Sequence, residues 1–159
     1  MRILEINKYL CPKGGAETYL LSLIDLLKKN GQKVICFSQK NQKNIKAVGE
    51  EFFISDLDLS GQDISAAWRW PRIFWSASAR KQVKRLIDKY PPDIVHLHNI
   101  YHQISPSILS VFKKAGIPVV MTPQSRVCQW VRTCVSRWVR TGRFRLASRA
   151  TTSTSLGPA

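Results

Sequence analysis

The sequence predicts an α/β protein built on a parallel sheet flanked by helices, and three features of its pattern carry that expectation. Short apolar runs recur at 3–6, 33–38, 94–97 and 117–121, each bounded by polar or turn-forming residues. Between them lie segments whose apolar residues return at helical spacing. Gly, Pro and Asn punctuate the junctions. Short buried strands that alternate with helices need crossover connections, and such crossovers give parallel, right-handed units.

Each element has its own warrant. Ile3, Leu4 and Ile6 form the first strand, and Leu20, Leu23, Ile24 and Leu27 recur at i, i+3, i+4 and i+7 as one helix face. Lys28, Lys29 and Asn30 close that helix, with Gly31 just beyond its end. Residues 33–38 read as a second strand and 52–54 as a third. Val83, Leu86, Ile87 and Tyr90 mark the apolar face of a longer helix whose upstream part, 68–75, is interrupted by Pro71. Asp93 ends a turn before the strand of Ile94, Val95 and Leu97. Ser105 and Pro106 supply an N-cap and a first-turn proline for the next helix, Gly116 ends it, and 117–121 is the last strand.

Lys13-Gly14-Gly15-Ala16-Glu17 lies between the first strand and the first helix, and this is where function is sought first. Glycines lack Cβ, so backbone N–H groups approach a ligand closely, and the open N–H groups and dipole of a helix start favour an anion such as a diphosphate. Gly-Gly is also a common way to turn a strand into a helix, and Glu17 suits a first helical turn on dipole grounds alone. The stretch is neither G-x-G-x-x-G nor G-x-x-x-x-G-K-[ST], so it implies no dinucleotide or P-loop chemistry by itself. In parallel sheets ligands bind beyond the carboxyl ends of the strands, which gathers the 7–15 loop, the 98–105 segment and whatever follows Met121 on one edge.

A chain of 159 residues suits one domain with a sizeable core. No run of about 18 apolar residues exists, and Glu5, Asn7 and Lys8 interrupt the first ten residues, so neither a membrane span nor a secretory signal is expected and the cytoplasm is the expected location. Cys11, Cys36, Cys128 and Cys134 contain no C-x-x-C pair and read as free thiols. The formal charge of +15 is uneven: residues 123–159 hold seven Arg and no Lys, Asp, Glu or His, leaving 18 of the 25 basic residues and all 10 acidic ones before them. Body and tail thus carry +8 and +7, and the break in composition places a boundary at about Thr122.

Three stretches together resemble the N-terminal domain of glycosyltransferase family 4: Pro12-Lys13-Gly14-Gly15-Ala16-Glu17, Pro92-Asp93-Ile94-Val95-His96-Leu97-His98-Asn99 and Ile117-Pro118-Val119-Val120-Met121-Thr122. The resemblance covers roughly residues 1–122. It implies a Rossmann-like parallel sheet forming the acceptor-side half of a GT-B enzyme. A nucleotide-sugar is the donor, transfer is metal-independent and retains configuration, no cofactor takes part, and the acceptor is a saccharide or lipid-linked molecule of cell-surface polysaccharide synthesis at the inner membrane face. It also implies that Lys13, Gly14, Gly15, Ala16 and Glu17 form the loop facing donor phosphates and acceptor, Glu17 fixing that loop, and that His98, Asn99 and His102 lie on the acceptor side. The family continues after the last strand with a Leu-His-Asp-Tyr-like stretch and a donor domain; here Pro123-Gln124-Ser125-Arg126 follow. The chain is expected to be truncated, inactive alone, and disordered or out of frame in 123–159.

Several residues admit other readings. His96, His98 and the nearby His102 can ligate a metal, but no Asp or Glu follows Asp93, and packing for His96 with a cleft position for His98 is preferred. No catalytic base is assigned. The bases and Trp residues of 68–85 suit a solvated helix face first and contact with anionic lipid second. Arg126 to Arg149, interleaved with Trp130 and Trp138, define the competing function class, a non-catalytic basic module for nucleic acid or an anionic membrane; nucleic acid is the less favoured partner.

Overall fold

The computed structural model describes residues 1–55, 76–100, 104–122 and, as backbone, 144–146. The expected upstream helix at 68–75, His102, Cys128, Cys134 and most of the Arg-rich tail lie outside the described residues.

The chain runs β1 (Arg2–Ile6), α1 (Gly15–Lys29), β2 (Lys33–Phe37), α2 (Ala77–Lys89), β3 (Ile94–Leu97), α3 (Leu109–Lys114), β4 (Val119–Met121) and β5 (Phe144–Leu146). The strands form one sheet in the order β2-β1-β3-β4-β5, and every pairing is parallel. Parallel pairing follows from the helices that return the chain to the same edge between β1 and β2 and between β3 and β4. From β1 the chain first moves outward to β2 and later returns on the other side as β3, so the order reverses between β1 and β3. The loops leaving those two strands diverge there, the usual ligand crevice of an open α/β sheet. This is the parallel α/β architecture expected from the strand and helix pattern, in the Rossmann-like form that the family resemblance implies. β5 lies within the Arg-rich tail and pairs with β4 in register Val120↔Arg145.

One face of the sheet is apolar. Leu4, Ile6, Ile35, Phe37, Val95, Leu97, Val119 and Met121 pack with Val83, Leu86 and Ile87 of α2 and Ile108, Val111 and Phe112 around α3. On the other face Leu20 and Ile24 of α1 cover Val34 and Cys36, joined by Leu10 and Phe53. The period-3.6 stripe of α1 therefore buries against the β2 side and leaves the middle of the sheet to other residues.

Helix ends follow local chemistry. Ser76 caps α2 by accepting from Ala79 N–H at 3.1 Å, and Gly31 and Gly116 take positive φ just beyond α1 and α3. Ser105 accepts from Ser107 N–H at 3.3 Å, and Pro106 begins a single 3₁₀ turn, Pro106–Ile108, that leads into the six-residue α3. Ser105 itself holds φ 58°, the one non-glycine residue with positive φ among the described residues.

The third strand expected at 52–54 is replaced by a 3₁₀ turn, Glu50–Phe52, and one parallel bridge between Gln39 and Ile54. Phe52, Phe53 and Ile54 are all buried in succession, the first and last against the α2 side and Phe53 against the α1 side. An apolar run of this length satisfies a loop wedged between two cores as well as it does a strand.

Gly49 makes that wedge possible. It has φ 100°, and a Cβ there would stand 2.6 Å from the Cys36 carbonyl oxygen. Gly116 has φ 67° with nothing within 4 Å of its Cβ position. Thermal unfolding should therefore separate the two: Gly49→Ala is expected to lose about 3 kcal/mol, from a left-handed backbone plus a backbone clash, and Gly116→Ala about 1 kcal/mol from backbone alone.

Candidate functional site

The carboxyl ends of β1, β3 and β4 hold the candidate site, and hydrogen bonds tie their loops together. Asn99 N–H donates to Asn7 Oδ1 at 3.0 Å, and Lys8 N–H donates to the Asn99 carbonyl at 3.1 Å. Asn7 Nδ2 turns back to the Tyr9 carbonyl at 2.8 Å, closing the start of the loop that leads to the glycines. On the far side Ser38 Oγ and Gln39 N–H both donate to the Lys8 carbonyl. The loop after β1 is thus held by the residues following β2 and β3 together.

Gly14 and Gly15 open α1 and are exposed, as is Lys13. Gly14 is the N-cap in an extended conformation, and its carbonyl accepts from both the backbone N–H and the Oγ1 of Thr18, each at 3.0 Å. Thr18 was not singled out in the sequence, although a hydroxyl four residues into a helix is a local signal for this bond. A Cβ on Gly14 would lie 3.2 Å from Glu17 Oε2, whereas one on Gly15 would meet nothing within 4 Å. Glu17 therefore arches over Gly14, and Gly15 faces open space with the unpaired first-turn N–H groups beside it. Lys13 Nζ stands 4.0 Å and Lys8 Nζ 4.8 Å from the centre of the Tyr9 ring, which keeps two cations near the same loop.

Inside this edge lies a buried polar cluster that periodicity alone half discloses. Alternation puts His96 and His98 on one face of β3, and the β1–β3 register sets Glu5 directly opposite His96. Glu5 Oε2 is 2.7 Å from His98 Nε2, and the Glu5 oxygens are 3.2 and 3.3 Å from His96 Nδ1. His96 Nε2 reaches Thr122 Oγ1 at 2.8 Å. The Glu5 and His98 side chains are fully buried and His96 is 16% exposed. His98 lies edge-on to Tyr19 of α1, with centroids 6.1 Å apart, so it forms the floor beneath α1. Asn99, also buried, supplies backbone contacts to the glycine loop.

The electrostatics follow from burial and pairing. Burial alone would raise the Glu5 carboxyl, but hydrogen bonds from His96 and His98 and their charges outweigh it and hold it below its ordinary 4.5. Burial lowers His98 below its ordinary 6.5, aided by the charge of His96 and opposed by the bond to Glu5. Burial, with the Glu5 charge adding, pushes the Cys36 thiol on β2 up to about 12, so that it stays a neutral, unreactive group. Glu5, His96 and His98 place ligand atoms within 4.8 Å of one another, the one such group among the described residues. In this arrangement those same atoms are engaged in hydrogen bonds to each other.

The family model of Glycosyltransferase Family 4 matches residues 13–155, past Thr122 and into the Arg-rich tail. Among solved structures, the apo form of the lipopolysaccharide outer core galactosyltransferase WaaB matches at 21% identity and a TM-score of 0.47, over 77% of this chain. The chain spans 33% of that structure's length. No curated protein matches. Among the described residues no helix is long and apolar enough to cross a membrane.

The acid limb of stability should report on the cluster. Below 6.5 an unfolded His98 takes up a proton that the folded one resists, and below 4.5 the same holds for Glu5, so both groups make stability fall on acidification. In thermal unfolding against pH, His98→Asn should flatten the part of the curve beginning near 6.5. Glu5→Gln should cost about 2 kcal/mol at neutral pH and flatten the part below 4.5.

Proposed function

The chain belongs to glycosyltransferase family 4, and from that premise we propose that it forms the acceptor-side half of an enzyme moving a sugar from a nucleotide-sugar to a saccharide or lipid-linked acceptor in cell-surface polysaccharide synthesis, at the cytoplasmic face of the membrane. The observation that carries the reading is the exposed Gly14–Gly15 start of α1, placed where the strand order reverses and tied to the loop after β3 through Asn7 and Asn99.

The chemistry fits a departing diphosphate. First-turn N–H groups and the helix dipole stabilise negative charge as it develops on the leaving oxygens, which needs no cation. Gly15 leaves that approach unobstructed, and Thr18 holds the Gly14 carbonyl away from it. The acceptor would lie across the same edge, above Asn99 and toward Thr122. His98, enclosed under Tyr19, would support that surface from below.

One wall of a cleft binds weakly. Each backbone hydrogen bond open to water contributes on the order of 1 kcal/mol, so a few of them place the Kd for a nucleotide-sugar at roughly 1 mM or weaker. Transfer also requires the reacting carbon and the acceptor hydroxyl to be held together, which a second, donor-binding domain closing over this edge would supply.

Two measurements test this. Diphosphate added to the ¹⁵N-labelled protein should shift the amides of Gly14, Gly15 and Glu17, and Gly15→Val should abolish the shifts while unfolding at nearly the wild-type temperature, because its side chain enters open space. Incubation with nucleotide-sugars and saccharide or lipid-linked acceptors should give no turnover by the 159 residues alone and measurable turnover once a family donor domain is joined to them. Turnover by the unmodified chain would refute the need for that second wall.

A further inference from the structure

Resting on the sugar-transfer reading, we propose that Thr122 binds a hydroxyl group of the saccharide partner, and that Glu5 and His96 are positioning residues that turn the Thr122 O–H inward so that only its oxygen lone pair faces the ligand. Proton placement at Glu5 governs the rest of the cluster. An ionised carboxylate has acceptors only, so the imidazole nitrogen that faces it must carry the hydrogen. Glu5 meets His96 at Nδ1 and His98 at Nε2, which assigns N–H to both of those atoms. An imidazole carrying only that one hydrogen has a bare lone pair at Nε2, and the atom 2.8 Å from it is Thr122 Oγ1. Thr122 must donate its single O–H there.

The consequence lies on the outer side of the threonine. Thr122 follows β4 at the carboxyl edge, its backbone N–H donates to the Leu97 carbonyl at 2.9 Å, and the residue is partly exposed. Its hydroxyl oxygen retains a lone pair and has no hydrogen left to offer. Such an oxygen pairs with a ligand that donates, as a sugar hydroxyl does, and is disfavoured next to a phosphate or carboxylate oxygen. The two ends of the edge are thereby sorted by hydrogen-bond polarity: backbone donors beside Gly15 for the anion, a lone-pair acceptor at Thr122 for the polyol.

The arrangement is held from several sides. His96 cannot turn its ring without breaking either the Glu5 or the Thr122 bond, and the His98 ring lies 4.1 Å from it, centre to centre. Glu5 is fixed in turn by the His98 bond at 2.7 Å. A threonine serving only to close the strand end would need the inward bond and nothing more, and that difference can be measured.

The test uses the ¹⁵N-labelled 159-residue protein, with methyl β-galactopyranoside as a neutral hydroxyl probe and inorganic pyrophosphate as an anion probe. Long-range histidine spectra should show His96 protonated at Nδ1 with Nε2 as acceptor. The galactoside should shift the Thr122 amide and the His96 ring, while pyrophosphate should act at Gly14 and Gly15. Thr122→Val should weaken the galactoside about fivefold or more and leave pyrophosphate unchanged, and Thr122→Ser should retain both. Glu5→Gln should mix the His96 tautomers and weaken the galactoside; if that variant does not fold, the Thr122 pair still decides. His96 protonated at Nε2, a galactoside without effect on the wild type, or equal binding by Thr122→Val overturns the proposal. Loss of the pyrophosphate response alone would instead count against the transferase reading and leave the Thr122 contact standing.

Discussion

A carboxylate with no exposure to water has to find its partners within the protein, and Glu5 finds them across the one strand pair on which the topology turns. Placing an unpaired charge between β1 and β3 would cost several kcal/mol; two imidazoles from the neighbouring strand offset that cost. The pairing requires the register that sets Glu5 opposite His96, so the same constraint fixes how the β1 and β3 carboxyl ends sit against each other. From there the Asn7–Asn99 and Lys8–Asn99 bonds carry the alignment into the loops, and the loop after β1 delivers Gly14 and Gly15 to the edge. A buried carboxylate held by such hydrogen bonds adds little net stability compared with well-packed aliphatic side chains. What these bonds add here is connection: Glu5, His96 and Thr122 form one continuous run of hydrogen-bonded side chains across three strands.

The two faces of the sheet divide the labour accordingly. The face under α2 and α3 is continuous aliphatic and aromatic packing, rigid enough to fix the strand ends. The other face is apolar only beneath α1 and polar along Glu5, His96 and His98. A site assembled from loops needs both, because loops acquire definite positions only from the rigid elements that carry them. Exposed ion pairs such as Lys29–Asp25 and Lys84–Asp88 support individual helices only slightly and take no part in this placement.

Some of the site was legible and some was not, for identifiable reasons. The glycine loop was readable because strand, glycines and helix are contiguous, and local chemistry suffices to say that N–H groups open there. Alternation likewise put His96 and His98 on a common face. Glu5 carried no such signal: in the sequence it is a polar residue near the start, and its partners lie 91 and 93 residues away. The 52–54 run misleads for the opposite reason, since three buried apolar residues in a row look the same whether they form a ladder or plug two cores. β5, Phe144–Leu146, is too short a run to announce a strand within the Arg-rich stretch, yet the open edge of β4 provides it with backbone partners.

The sequence by itself determined the alternation of strands and helices, their parallel pairing, the helix ends at Gly31 and Gly116 and the glycine start of α1. All of these rest on interactions between residues close in the chain or on periodicity that a single segment displays. Only the tertiary structure decided that Glu5, His96, His98 and Thr122 meet, that His98 is enclosed while Thr122 reaches the edge, and which ring nitrogen faces which partner. Those outcomes depend on strand register and on burial, which are properties of pairs of segments distant in sequence and therefore invisible in any one of them.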